Sequence, residues 1–283
     1  MMSRHRLKKM CFVGGIPRRI RMSATVKPLG GRSDIFLARE YVDGDAESAL
    51  RRALGEDDDV DETKMRVRYV ALNGRKCRPY GGTVHEKGTV RVDDFPPVVR
   101  RLMERAAASV REIDDGGSSS GSSSAATFQP NHALVNVYDF DRGDGIMSHE
   151  DGPLYRDCVC IVSIGASCVL TFRPKEMKSA SGADDEAPNA KFHKETTNPR
   201  ERLPFDVFVP SRSLLVFTKA VYTEYLHGIE SRESDARSNP LLLNPEDFPD
   251  DDAPRRGRRI SITMREVLNL RRGLEFLTKR LAK

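Results

Sequence analysis

The sequence predicts a mainly β chain with flanking helices (α+β) over residues 34–283, its core wound as a double-stranded β-helix, or jelly roll. Three observations predict it. Short apolar or alternating runs recur near 133–138, 157–164, 166–172, 205–209, 213–218 and 259–264, the pattern of an antiparallel β core. Helical periodicity is confined to the flanks of that region. Polar or glycine- and serine-rich stretches separate the elements, most plainly 116–124, a tract with no capacity to pack.

Taken in order, Asp34, Ile35, Phe36 and Leu37 enter the fold, followed by a charged helix over 45–54, an acidic turn over 57–61 and an alternating strand over 65–72. Residues 74–92 hold Gly74, Gly81, Gly82 and Gly88 among basic and aromatic side chains and read as a loop. Residues 96–111 place Val99, Leu102, Met103 and Ala106 on one side of a helix. Flexible insertions are expected at 112–129, 174–202 and 231–257, as mobile surface loops of one domain. Beyond the last strand, Val267, Leu268, Leu270, Leu274, Leu277 and Leu281 predict a terminal amphipathic helix.

The net charge of +5 is unevenly distributed. Residues 1–33 carry nine Lys or Arg and no acidic residue; removing these nine leaves 38 basic against 42 acidic side chains, a balance of −4. A polyanionic partner must therefore be argued from local patches such as Arg75, Lys76 and Arg78, or Arg255, Arg256 and Arg258, which read equally as solvated loop charges. The 1–33 extension is Arg-rich and acid-poor, which fits a transit peptide, a basic tail, or a chain whose true start is Met22; each reading removes it from the fold. No stretch approaches the roughly 18 apolar residues of a membrane span, so no membrane association is expected. Of the five cysteines, Cys158, Cys160 and Cys168 lie in apolar strand-like sequence and lack a partner pair at zinc-site spacing, so core thiols in a reducing compartment are expected.

Chemistry concentrates in two motifs. His149 and Asp151 are two residues apart, so on extended chain both can face one ion, with Glu150 pointing elsewhere. A later histidine, His227, follows the apolar strand at 213–217 and can be brought near by folding. Two histidines and one carboxylate on one face of iron(II) leave the remaining positions open, the liganding pattern of a non-haem iron oxygenase. The second motif is Arg259, Ser261, Thr263 and Arg265, which share one parity while Ile260, Ile262 and Met264 share the other. Packing the apolar face turns two guanidinium groups and two hydroxyls inward, which is costly unless an anion is held there. A dicarboxylate cosubstrate such as 2-oxoglutarate answers both arginines with paired, charge-assisted hydrogen bonds. Taken singly, His149 reads as a surface-loop histidine and the arginine row as a solvated edge strand; together they favour the ion and the anion.

These motifs sit in longer matching runs: 131–138 with Asn136 and Tyr138, 145–155 with its His-Glu-Asp-Gly-Pro-Leu-Tyr segment, 210–216, 226–229, and upstream 72–76 and 80–82. On them the chain resembles the AlkB family of iron(II)/2-oxoglutarate dioxygenases and is most similar to the eukaryotic AlkB homologue six branch. The resemblance covers nearly everything after about residue 34. It implies that His149, Asp151 and His227 ligate iron and that Asn136 and Tyr138 touch the cosubstrate from a neighbouring strand. It implies that Arg259 holds the distal carboxylate of 2-oxoglutarate and Arg265 acts near the iron-bound end, with Ser261 standing where many relatives have asparagine. In the family the 74–92 neighbourhood covers the substrate, which makes Arg75, Lys76 and Tyr80 candidate substrate residues, with His85 a further stacking candidate.

The implied cofactors are Fe(II), with 2-oxoglutarate and O2 as cosubstrates, and no separate proton-shuttling triad is needed. The implied activity is oxidative demethylation of N-alkylated bases in RNA or DNA, releasing formaldehyde. Two alternatives stand beside it: hydroxylation or demethylation of a protein side chain, and a nucleic-acid or protein binding module with little turnover. A monomer in cytoplasm and nucleus is expected, or in plastid or mitochondrion if 1–33 is a transit peptide.

Overall fold

The computed structural model describes residues 25–56, 69–81, 95–115, 128–176, 202–249 and 256–268. The acidic turn, residues 65–68 of the strand expected at 65–72, His85, the glycine/serine tract, most of the 174–202 insertion and the terminal helix beyond Leu268 lie outside the described residues; Val267, expected in that helix, instead ends the last strand, paired with Tyr155.

Among the described residues the chain forms β1 (Lys27–Pro28), β2 (Ile35–Ala38), α1 (Gly44–Leu54), β3 (Val70–Leu72), β4 (Arg75–Tyr80), α2 (Pro97–Asp115), β5 (His132–Asp139), β6 (Ile146–His149), β7 (Tyr155–Gly165), β8 (Cys168–Pro174), β9 (Phe205–Val209), β10 (Ser213–Thr218), α3 (Lys219–Glu224), β11 (Tyr225–Ile229) and β12 (Arg258–Val267). Two antiparallel sheets result: an eight-stranded sheet in the order β1-β2-β10-β7-β12-β5-β4-β3, and a four-stranded sheet in the order β6-β11-β8-β9. The six strands expected from the sequence are all present.

Alternation along the large sheet divides the core in two. Ala133, Val135, Val137, Cys158, Cys160, Val162, Leu214, Val216, Ile260, Ile262 and Met264 face one way, onto the helices. There α1 contributes Ala46, Leu50 and Leu54 at four-residue spacing, and α2 contributes Val99, Leu102, Met103 and Ala106. Asp43 caps α1 by accepting from the Ala46 amide at 2.8 Å, and Gly55 closes it in the left-handed region. The opposite parity, with Ile35, Leu37, Val159, Ile161, Leu215 and Phe217, faces Leu170, Phe172, Phe205 and Val207 of the small sheet. This second core lies between the sheets, and the functional site lies in the same layer.

Several expectations change. The fold starts before residue 34, because β1 pairs with β2 and Leu29 is buried after the chain reverses at Gly30 and Gly31. Residues 112–115 continue α2, and Phe128 is fully buried, so the 112–129 insertion is shorter than expected. Residues 75–80 form a strand rather than a loop, paired with β5 from Lys76↔Val137 to Tyr80↔Ala133.

The largest correction concerns 231–257, expected as a mobile surface loop. Its described part seals the edge of the small sheet. Leu242 bridges Asp206, the Asn244 side chain takes both the Phe208 amide (3.0 Å) and carbonyl (2.8 Å), and Phe248 packs on Phe208. The open edge of β9 is thereby satisfied by side-chain and backbone groups, which blunts it against pairing with another chain.

Candidate metal centre and anion pocket

The small sheet brings the two histidines together. On β6 and β11, His149 and His227 are direct cross-strand partners, and their rings lie 4.4 Å apart between centroids. β6 ends at His149, so Asp151 comes from the chain just beyond the strand. One ligand atom from each of His149, Asp151 and His227 lies within 4.8 Å of the others. Glu150, between them, turns to Lys175, whose Nζ also donates to the Thr223 carbonyl at 2.8 Å.

Each of the three groups is prepared for a cation. The His149 Nδ1 lies 2.9 Å from the Met147 carbonyl, which can only accept, so Nδ1 is the donor of that bond and Nε2 is the ring nitrogen left to ligate. Burial pushes the His227 pKa down to about 4, reinforced by His149, Arg265 and Lys175 and opposed by Asp151, so its imidazole is neutral at physiological pH. For Asp151, burial alone would raise the pKa, but Arg265, His227, His149 and His132 outweigh it and hold the carboxyl below its usual range. Arg265 Nη2 binds Asp151 Oδ1 at 3.0 Å, while the buried Oδ2 has no hydrogen-bond partner among the described residues. An ionised, buried oxygen beside two imidazoles is the donor set of a two-histidine, one-carboxylate metal site, and iron(II) fits it.

These ligands open into a cavity of about 190 Å³ between the sheets. Its other polar wall is β12. Arg259, Ser261, Thr263 and Arg265 all line it, while Ile260, Ile262 and Met264 are fully buried on the reverse side. The registers Arg259↔Tyr138 and Ser261↔Asn136 bring both β5 residues beside them. The Tyr138 ring lies under the Arg259 guanidinium at 5.4 Å. Burial raises the Tyr138 pKa, opposed by Arg259 and Arg75, so the hydroxyl stays protonated as a donor.

Arg259 is 2% exposed, donates to Ser163 Oγ at 2.8 Å and leaves Nε without a hydrogen-bond partner among the described residues. No carboxylate among the described residues pairs with it. Arg265 also leaves Nε unpartnered, with its guanidinium over the Tyr155 ring at 4.8 Å. Buried guanidinium donors facing a cavity fit an anion with several acceptor oxygens, and a dicarboxylate such as 2-oxoglutarate supplies them.

Of the three candidate substrate residues, only Arg75 reaches the cavity. Lys76 and Tyr80 have the opposite parity on β4 and point to the helix side. Lys76 pairs with the buried Glu56 at 2.8 Å, and Tyr80 is buried in the helix-side core. The second basic patch dissolves similarly, since Arg256 is buried against Asp235 and Arg258 pairs with Glu56. Sequence reasoning missed Ser163 and Tyr155, which hold the two arginines, and the apolar lining of Ile146, Ile161, Leu170 and Ile229. Ser163 was legible in principle, as the polar residue breaking the apolar run of β7.

Comparison with known proteins agrees with this geometry. The model of the 2OG-Fe(II) oxygenase superfamily matches residues 52–265, a span from α1 to the second arginine of β12. The chain is 28% identical over 214 residues to a Danio rerio protein described as "Probable RNA/DNA demethylase ALKBH6", covering 75% of this chain and 80% of that one. Among solved structures it is similar to one described as "The structure of OsALKBH1", at 13% identity and a TM-score of 0.46, covering 85% of this chain and 99% of that one.

Proposed function

The chain belongs to the 2OG-Fe(II) oxygenase superfamily, as an AlkB-type member, and from that premise we propose that it oxidatively demethylates N-alkylated bases of RNA or DNA. The observation that carries the oxygenase reading is the convergence, in one cavity, of the His149, Asp151 and His227 donors with an arginine that no carboxylate among the described residues pairs with. The nucleic-acid part rests on the similarity to the zebrafish demethylase.

Bound iron(II), with 2-oxoglutarate and oxygen, supplies the oxidising power to convert an N-methyl group to N-hydroxymethyl, with succinate and carbon dioxide as co-products. The hydroxymethyl group then leaves as formaldehyde, returning a proton to the nitrogen. The protein's part is binding and orientation. His149, His227 and Asp151 would hold the metal, and Arg265 keeps Asp151 ionised and aimed by occupying one of its oxygens. Arg259, fixed by Ser163 and stacked on Tyr138, takes the far carboxylate of the cosubstrate. Arg265, beside the metal-facing carboxylate of Asp151, serves its near end. Ile146, Ile161, Leu170 and Ile229 keep the intervening space apolar, which limits water and strengthens each charged contact.

The test is iron-dependent turnover of 2-oxoglutarate with mass detection of demethylation, across N-methylated RNA and DNA strands and methylated peptides. One oligonucleotide that loses a methyl group in step with formaldehyde release supports the proposal. Turnover confined to a peptide moves the substrate to protein. Absence of succinate from folded, iron-loaded protein removes the oxygenase role itself.

A further inference from the structure

Arg75 is the third arginine of the cavity, and neither the metal nor the two ends of a dicarboxylate call for it. It sits on β4, two residues before Cys77, the cross-strand partner of Asn136, so it shares the cavity face with Asn136. Its Nε donates to Asn136 Oδ1 at 3.1 Å. No carboxylate among the described residues pairs with it.

The bond has a definite chemical sense. A guanidinium has only donors, so the atom of the Asn136 amide that faces it must be the oxygen. The amino group is thereby turned away from Arg75, and no acceptor among the described residues takes it. A carboxylate has only acceptors, so an amide turned the other way would present its oxygen to the anion and repel it. Arg75 therefore decides whether Asn136 attracts or opposes the cosubstrate.

Arg75 is also held in place from outside the pocket. The turn joining β3 to β4 accepts a hydrogen bond at the Gly74 carbonyl from Gly145 N at 2.9 Å. Gly74 has φ of +75°, and a Cβ there would lie 2.7 Å from the Gly145 carbonyl; a Cβ on Gly145 would lie 2.6 Å from that of Ile229. Two side-chain-free positions thus let the hairpin seat directly on the start of β6, the strand that ends in His149.

We propose that Arg75 is a positioning residue for the cosubstrate, acting through Asn136 by fixing its amide with the amino group directed into the cavity. This rests on the reading of the cavity as the 2-oxoglutarate site. The test is a double-mutant cycle on 2-oxoglutarate affinity, measured calorimetrically on Mn(II)-loaded wild type, Arg75→Met, Asn136→Ala and the double variant, with melting of the metal-free proteins alongside.

Each single variant is expected to bind about tenfold more weakly, the double variant no more weakly than Asn136→Ala, and melting to be unchanged. Arg75→Lys keeps a charge and a donor without the planar fork, and it is expected to fall between wild type and Arg75→Met. Losses that multiply in the double variant, or an Arg75→Met affinity equal to wild type, overturn the positioning role while leaving the cosubstrate site intact. Absence of 2-oxoglutarate binding by the Mn(II)-loaded wild type overturns both.

Discussion

Arg256 and Arg259 stand three residues apart, are 3% and 2% exposed, and end in opposite environments. Arg256 is saturated. Its Nε and Nη2 take both oxygens of the buried Asp235 at 2.6 and 2.5 Å, Nη1 donates to the Glu230 carbonyl at 2.7 Å, and the guanidinium lies over the Phe140 ring. Asp235 in turn accepts from the Val169 amide and from Arg232. Arg259 has one hydroxyl and one aromatic face, with Nε unpartnered. Since burying a guanidinium without a counter-charge is costly, the first arginine reads as architecture and the second as a site awaiting an anion. Burial alone does not separate them; the inventory of acceptors does.

That contrast can be broken or sharpened by substitution. The largest effect is expected at the metal. His149→Ala or Asp151→Ala should abolish iron-dependent succinate formation, and steady-state rates equal to wild type would remove both from the ligand set.

Next comes the architectural arginine. Asp235→Ala leaves the Arg256 charge buried and unpaired, so a destabilisation of about 3–5 kcal/mol is expected. For a domain of this size that lowers the melting temperature by roughly 6–20 °C, at about 2–4 °C per kcal/mol, without changing 2-oxoglutarate affinity in the folded protein. A melting temperature within error of wild type would make Arg256 a surface charge after all.

The third effect is smaller and of opposite sign. Arg259→Met removes a buried charge that has no carboxylate partner among the described residues, so the metal-free protein should be unchanged or more stable, by up to about 2 kcal/mol. A loss of stability comparable to that of Asp235→Ala would erase the distinction between the two arginines.

A further measurement separates them by linkage. At about 100 times its dissociation constant, 2-oxoglutarate should stabilise the Mn(II)-loaded wild type by about 2.7 kcal/mol. The same concentration should give Asp235→Ala a similar upward shift in melting temperature and Arg259→Met almost none.

How much of this was legible follows the same division. The alternation of β12 made Arg259 and Arg265 inward-facing before any fold was known, because strand parity is a property of the sequence itself. The jelly-roll strands were legible for the same reason. Parity failed where the strand was not recognised. Pro79 and the glycines after it made 75–80 look like a loop, so Arg75, Lys76 and Tyr80 were grouped together although the pleat sends Arg75 to the cavity and the other two to the helix side. β6 and β11 are four and five residues long and gain their definition from pairing with each other, which local sequence does not carry. The partner of Arg256 lies 21 residues away within a charged segment, where a buried ion pair and a solvated loop have the same composition.

The most direct measurement is a calorimetric titration of 2-oxoglutarate into Mn(II)-loaded wild type and Arg259→Met. The account predicts one cosubstrate per chain in the wild type and an affinity about 100-fold lower in the variant, the loss that follows from truncating one partner of a buried charge pair. Equal affinity in the two proteins would contradict it, because the unsatisfied guanidinium of β12 would then have no anion to meet.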